Sequence, residues 1–227
     1  DLDARMGRTS RRPFVTGRFR HHGGWLALIV GLTGIAVAAA WYAANALAAL
    51  YTFLGAFVYA VVYTVWLKRR SAWNIVIGGL AGSFAVLAGA AAVQPELSIE
   101  AMLLAVVLFL WTPPHFWSLS IVCRDDYAKA GVPMLPVVRG DRFAARAIFA
   151  HAVVMVGLSL AIAAWSPGWL YLLCAAAGGG LLVSRTIALL RAPGRATALA
   201  SFHASLVQLS LLLLGTIADA WMRNAMA

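Results

Sequence analysis

Acidic side chains are scarce in this chain: 8 Asp and Glu residues stand against 18 Lys and Arg in 227 positions. Charged residues of both signs make up 11% of the chain, where a soluble domain carries about 25%. Hydrophobic residues reach 63%, and the mean hydropathy is +0.84. This balance excludes an ordinary soluble globular domain and indicates a polytopic membrane protein. Cysteine is nearly absent too. Cys123 and Cys174 lie in different segments, without C-x-x-C or metal-ligand spacing, which excludes a disulfide framework and a zinc site. They read as small packing residues. No Ser-His-Asp or Cys-His nucleophile pattern is visible. No signal peptide opens the chain; it starts at Asp1 inside a polar stretch and reads as amino-terminally truncated or processed. The net charge of +10 does not indicate nucleic acid, because the basic residues fall between long apolar runs and form no single soluble face.

What the chain does have is apolar runs. A bilayer core needs about 20 apolar residues per helix. Seven segments qualify: Trp25–Asn45, Leu47–Leu67, Asn74–Val93, Ala101–Val122, Ala147–Trp165, Gly168–Leu190 and Leu199–Trp221. An all-α transmembrane bundle is therefore expected. Small-residue stretches such as Gly78-Gly79-Leu80-Ala81-Gly82-Ser83 and Gly178-Gly179-Gly180 allow close helix approach in lipid. With seven crossings, every Lys and Arg except Arg223 falls on one side of the membrane. The positive-inside rule makes that side the cytoplasm of a bacterial inner membrane, or the matrix for a mitochondrial one. The opposite loops are short, as at Ser166-Pro167-Gly168.

Half of the carboxylates sit in two polar loops on the basic side. The first holds Asp1 and Asp3 together with Arg5, Arg8, Arg11 and Arg12; the second holds Asp125 and Asp126 between Arg124 and Lys129. Asp141 lies on the same side. These are either solvated charges that soften a positive field, or the parts of a site. Carboxylates beside guanidinium groups suit a diphosphate held through a divalent cation, with Arg and Lys neutralising the remaining phosphate charge. The Lys68-Arg69-Arg70 run is open to two readings, a topological anchor or a phosphate contact. Arg124 is likewise a diphosphate clamp or a counter-ion. His115 lies in an apolar segment beside Pro113-Pro114, where a broken or kinked helix is expected. An ionisable group at that depth is a functional candidate, or else it hydrogen-bonds a carbonyl freed by the prolines. His151 and His203 are lesser candidates, and His21-His22 reads as interfacial. Trp73, Trp111, Phe116 and Trp117 either line a cation-stabilising pocket or serve packing and anchoring.

Four stretches carry a family resemblance. Asp3-x-x-Met6-x-Arg8-Thr9-x-x-Arg12-Pro13 resembles the first aspartate-rich motif of UbiA-type intramembrane prenyltransferases. Tyr63-Thr64-x-Trp66-Leu67-Lys68-Arg69-Arg70 through Gly79 is similar to their basic loop and the following helix. Trp111-Thr112-Pro113-Pro114-His115-Phe116-Trp117 and Asp125-Asp126-Tyr127-x-x-Ala130-Gly131-Val132-Pro133-Met134-Leu135-Pro136 resemble the heme-farnesylating branch in particular. The resemblance implies Mg²⁺ at Asp3, Asp125 and Asp126. It implies diphosphate contacts from Arg8, Arg12, Lys68, Arg69, Arg70 and Arg124, and a heme contact from His115. The implied substrates are farnesyl diphosphate and heme b, inside a lipid bilayer, with a downstream heme-modifying membrane enzyme as a further partner. The family's nine helices imply that the first two, with an Asn and an Asp upstream of Asp1, are missing from one prenyltransferase domain spanning residues 1–227. Two positions and one stretch depart from the pattern. Cys123 and Tyr127 stand where the wider superfamily has an Asp-x-x-x-Asp pair, and Phe84-Ala85-Val86 replaces a proline-containing stretch. The rival readings are a prenyltransferase acting on a quinone precursor and a non-catalytic heme-handling or transport protein.

Overall fold

The computed structural model describes residues 2–165 and 168–226. Asp1, Ser166, Pro167 and Ala227 lie outside the described residues, and with them the part of Asp1 in the first acidic motif and most of the short opposite loop. Among the described residues the chain is helical, with no strand. Seven helices are long and apolar enough to cross a membrane, so this is an integral membrane protein. They are α1 (Gly23–Ala43), α2 (Ala46–Phe57, continued by Val58–Leu67), α3 (Asn74–Val93), α4 (Ile99–Val122), α7 (Asp141–Ile162), α8 (Trp169–Arg191) and α9 (Arg195–Met226). Two short helices, α5 (Arg124–Lys129) and α6 (Leu135–Arg139), lie in the loop between α4 and α7.

Caps and turns set the ends. Asn45 accepts from the Ala48 N–H at 2.9 Å and starts α2; Ser98 accepts from Ala101 at 3.2 Å and starts α4. Two helices outrun the expected apolar segments. α7 begins at Asp141, not Ala147, and α9 starts at Arg195 and runs for 32 residues. At 1.5 Å per residue α9 reaches about 48 Å, beyond the roughly 30 Å hydrocarbon core. Hydropathy marks the part inside lipid, and the helix continues past it. Of the expected break or kink at Pro113-Pro114, the break is not there: α4 is continuous across both prolines.

The residues Val58–Leu67 wind more widely than an α-helix. The Lys68 N–H bonds the Tyr63 carbonyl at 2.9 Å, and the Thr64 hydroxyl bonds the Tyr59 carbonyl at 2.7 Å, five residues back in each case. Such π-helical turns are rare and cluster at functional sites. This one stacks Tyr59 on Tyr63 with ring centroids 5.9 Å apart. Tyr63 in turn lies over Gly78, where a Cβ would come within 2.7 Å of the ring.

α4 is the central helix, packed against α3, α7 and α9. A ladder ties it to α9: Trp111 Nε1 donates to the Ser205 carbonyl at 2.8 Å, His115 Nδ1 meets Ser205 Oγ at 2.8 Å, Ser118 meets Ser201 at 2.9 Å, and Arg195 donates to the Val122 carbonyl at 2.8 Å. α8 and α9 approach closely at Gly178, where a Cβ would sit 2.9 Å from the Gln208 Cα. That is the use of small residues expected in lipid. Two apolar cores result. One, near the basic face, gathers Met6, Ile75, Trp117, Ile121 and Ile148; the other, deeper, gathers Val107, Trp111, Met155, Leu182 and Leu212. α1 stands apart, packing on α2 and burying no residue.

Candidate active site

The first acidic loop is an ordered structure. Met6 and Thr9 are its anchors, each 3% exposed, between the helical turns Asp3–Arg5 and Gly7–Thr9. The Thr9 hydroxyl donates to the Asp3 carbonyl at 2.8 Å, closing the loop on itself. Arg12 then reaches back to the Asp3 carboxylate at 2.8 Å.

The second loop is built by α5. Asp125 and Asp126 occupy its first turn, where free N–H groups favour negative charge. Its exit uses Gly131 at φ +69°, a conformation that suits glycine, and the Val132 N–H bonds the Tyr127 carbonyl at 2.9 Å. Val132 and Met134 are buried and pin the return. The two loops meet: the Gly7 N–H donates to Asp126 Oδ1 at 3.4 Å, and Arg8 lies beside Tyr127 in one cavity.

Asp3, Arg8, Arg12, Lys68 and Tyr127 line one cavity of about 140 Å³, floored by Tyr63, Ile75 and Phe116. Within it three cationic groups surround one carboxylate. Burial holds the Lys68 pKa below the ordinary lysine range, Asp3 pulls it back up, and Arg12, Arg69 and Arg8 push it down. An anion placed here would relieve that repulsion. Burial raises the Tyr127 pKa, while Arg8 lowers it. Tyr63, Ile75 and Phe116 also line a second, apolar cavity of about 320 Å³, walled by Gly78, Gly82, Leu108, Trp111 and Thr112. A cationic mouth thus adjoins an apolar chamber.

The remaining sequence candidates fall elsewhere. Arg124 pairs with Asp141 at 3.5 Å, the counter-ion arrangement. Asp125, Arg69 and Arg70 are exposed and do not line the cationic cavity. Trp73 is 65% exposed, whereas Trp117 is buried in the core near the basic face. His115 lies behind the apolar chamber, stacked on Trp111, edge-on to Phe116, and bonded to Ser205 instead of a freed carbonyl. His151 bonds the Ala147 carbonyl, and His22 caps α1 by accepting from Gly24. Sequence reasoning missed Tyr63, Ser205 and Phe202. Tyr63 depends on the wide turn, and Ser205 and Phe202 are about 90 residues from His115, so no local pattern could flag them.

Among the described residues no three His, Cys, Asp or Glu side chains gather as a metal cage. Asp3 lines the cationic cavity, while Asp126 lies outside it on the Gly7 N–H; Mg²⁺ draws most of its ligands from phosphate and water and needs only one or two such carboxylates.

The UbiA prenyltransferase family model matches residues 1–207. The chain is 56% identical to protoheme IX farnesyltransferase 2 of Paramagnetospirillum magneticum, over 96% of this chain and 76% of the relative. It is 50% identical to protoheme IX farnesyltransferase 1 of the same organism, over 96% of this chain and 77% of the relative. It is 44% identical to protoheme IX farnesyltransferase of Gloeobacter violaceus, over 93% and 70% respectively. No solved structure matches. With its cationic mouth, its apolar chamber and a match spanning nearly the whole chain, this protein belongs to the UbiA prenyltransferase family.

Proposed function

We propose that the protein transfers a farnesyl group from farnesyl diphosphate to a vinyl group of heme b, yielding heme O. The observation that carries this reading is the adjoining pair of cavities, a cationic one sized for a phosphate group and an apolar one behind it, with an aromatic-clamped histidine further in. The names of the relatives support the choice of donor and acceptor.

In this reading Arg8, Arg12 and Lys68 hold the diphosphate. The bond between C1 and the bridging oxygen breaks, and its electron pair leaves with the diphosphate. The guanidinium and ammonium groups stabilise the charge that grows on the leaving oxygens. Asp3 and Asp126, with Asp125 at the rim, would hold a Mg²⁺, which would supply further charge neutralisation to the leaving group. The allylic cation forms at the boundary between the cavities, where Tyr63 and Phe116 offer ring faces. The apolar walls exclude water that would capture it early. The terminal vinyl carbon attacks C1, and the cation left beside the porphyrin takes up water and loses a proton. His115 contacts the heme acceptor. Arg69, Arg70 and Arg124 frame the entrance as electrostatic guides.

The basic face is proposed to look into the bacterial cytoplasm, by the positive-inside rule. The product is more apolar than heme b, so a membrane enzyme that modifies the heme further is the proposed recipient. The test is incubation of the purified protein in detergent with heme b, farnesyl diphosphate and Mg²⁺, followed by mass analysis of the heme. A heme heavier by one farnesyl group and one hydroxyl is expected. Unaltered heme, with prenylation of an added quinone precursor, would overturn the reading.

A further inference from the structure

His115 is held on nearly every side. Trp111 stacks on it with ring centroids 4.3 Å apart and planes 17° apart; Phe202 stacks at 4.5 Å and 29°. Phe116 meets it edge-on at 5.0 Å. Two stacked rings leave the imidazole only its edge for bonding. One edge nitrogen, Nδ1, lies 2.8 Å from Ser205 Oγ. The other, Nε2, has no hydrogen-bond partner among the described residues. It is also not sealed without a partner, as Trp117 Nε1 is.

Proton counting then sets the tautomer. Ser205 Oγ carries one proton, and it lies 2.7 Å from the Phe202 carbonyl oxygen. Two oxygens that close repel each other unless a proton sits between them, so the hydroxyl donates to Phe202. Ser205 Oγ must therefore accept from His115, which places the imidazole proton on Nδ1. Nε2 is left with its lone pair in the ring plane. Ser205 is itself held: its carbonyl accepts from Trp111 Nε1 at 2.8 Å, so one residue of α9 braces both the histidine and the indole stacked on it.

We infer that Ser205 is a positioning residue that fixes the Nδ1–H tautomer of His115 and so presents the bare Nε2 lone pair to the heme iron. The inference rests on the reading of His115 as the heme contact. It assigns the heme a direction of approach, edge-on to the imidazole and between the stacked rings of Trp111 and Phe202, with Nε2 alone reaching the metal. Partners behind metal-bound histidines orient the ring and raise its basicity, and losing them typically costs about 10–100-fold in metal affinity.

Two measurements test this. ¹⁵N NMR of histidine-labelled protein, without heme, reads the tautomer directly, with the His115 signal identified by its loss in His115→Ala. A protonated Nδ1 and bare Nε2 are expected, mixed tautomers in Ser205→Ala, and the native pattern in Ser205→Thr, which keeps the hydroxyl. Titration with heme b, followed in the Soret band, is the second. Ser205→Ala should weaken heme binding about tenfold, with Ser205→Thr near wild type and pyrophosphate binding unchanged in both. A protonated Nε2 in the native protein, or a Ser205→Ala spectrum identical to wild type, overturns the inference. If His115→Ala binds heme as wild type does, the underlying reading fails. If His115→Ala loses heme and Ser205→Ala does not, only the role of Ser205 fails.

Discussion

The two ends of the bundle each gather charge, and they treat it oppositely. At the end away from the basic loops, Asp219 is 6% exposed and accepts the Tyr171 N–H at 2.7 Å. It caps the first turn of α8 from a neighbouring helix, and a Cβ on Gly168 would collide with its carboxylate. There one carboxylate oxygen is committed to a backbone N–H of the fold. At the basic face Arg8, Arg12 and Lys68 crowd around Asp3, and Lys68 is held below its ordinary pKa by burial and by its cationic neighbours. A buried charge with its partners in place stabilises a fold. A surplus of one sign, kept in a cavity, is the mark of a binding site.

The contrast can be broken by substitution. The largest effect is expected from Arg12→Ala, which removes one diphosphate contact and the partner of Asp3. Turnover should fall by about a hundredfold, measured as farnesylated heme formed, while the melting temperature stays close to wild type. Asp126→Asn should cost at least about tenfold, the loss of one charge contact worth about 1.4 kcal/mol in the transition state. Unchanged turnover would remove Asp126 from the site. Gly168→Ala should do the reverse, lowering stability by about 1–3 kcal/mol in thermal unfolding with little change in the kcat of the folded fraction. A smaller effect is expected with pH. Only protonated Lys68 attracts phosphate, and its pKa is depressed, so pyrophosphate affinity should decline as pH rises through a value below the usual lysine range. Lys68→Arg should flatten that decline. The smallest effect belongs to Arg124→Gln. An exposed pair such as Arg124–Asp141 contributes about 0–1 kcal/mol, so turnover should change by less than about fivefold. A larger drop would move Arg124 into the cationic cavity's function.

The helix count and the Asn74–Val93 boundaries were legible because lipid imposes one pattern on every span. The ends of α7 and α9 were not, because a helix that leaves the bilayer becomes amphipathic and loses its hydropathy signal. The meeting of the two acidic loops followed from topology alone, as both lie on one side. The selection among their charges did not follow. Asp126 bonds Gly7 while Asp125, one residue away, stays exposed, and that difference depends on the rotation of a six-residue helix. The π-helical stretch before Lys68 was invisible, since Val58–Leu67 reads as an ordinary apolar run. The setting of His115 was equally hidden. Its partners come from α9, and prolines that suggested a break lie within a continuous helix.

That continuity makes α4 a ruler. Eight residues separate His115 from Cys123, where α4 ends and the acidic α5 begins, a rise of about 12 Å at 1.5 Å per residue. The proposed acceptor contact and the proposed donor contact are thus graduations on one rigid rod. The α9 ladder keeps that rod from sliding or rolling. A break between His115 and Cys123 would let the gap between the two substrates drift with thermal motion. An unbroken helix instead meters it, so a single residue inserted between Phe116 and Val122 would turn one end by about 100° relative to the other, leaving each half-site intact and the two out of register.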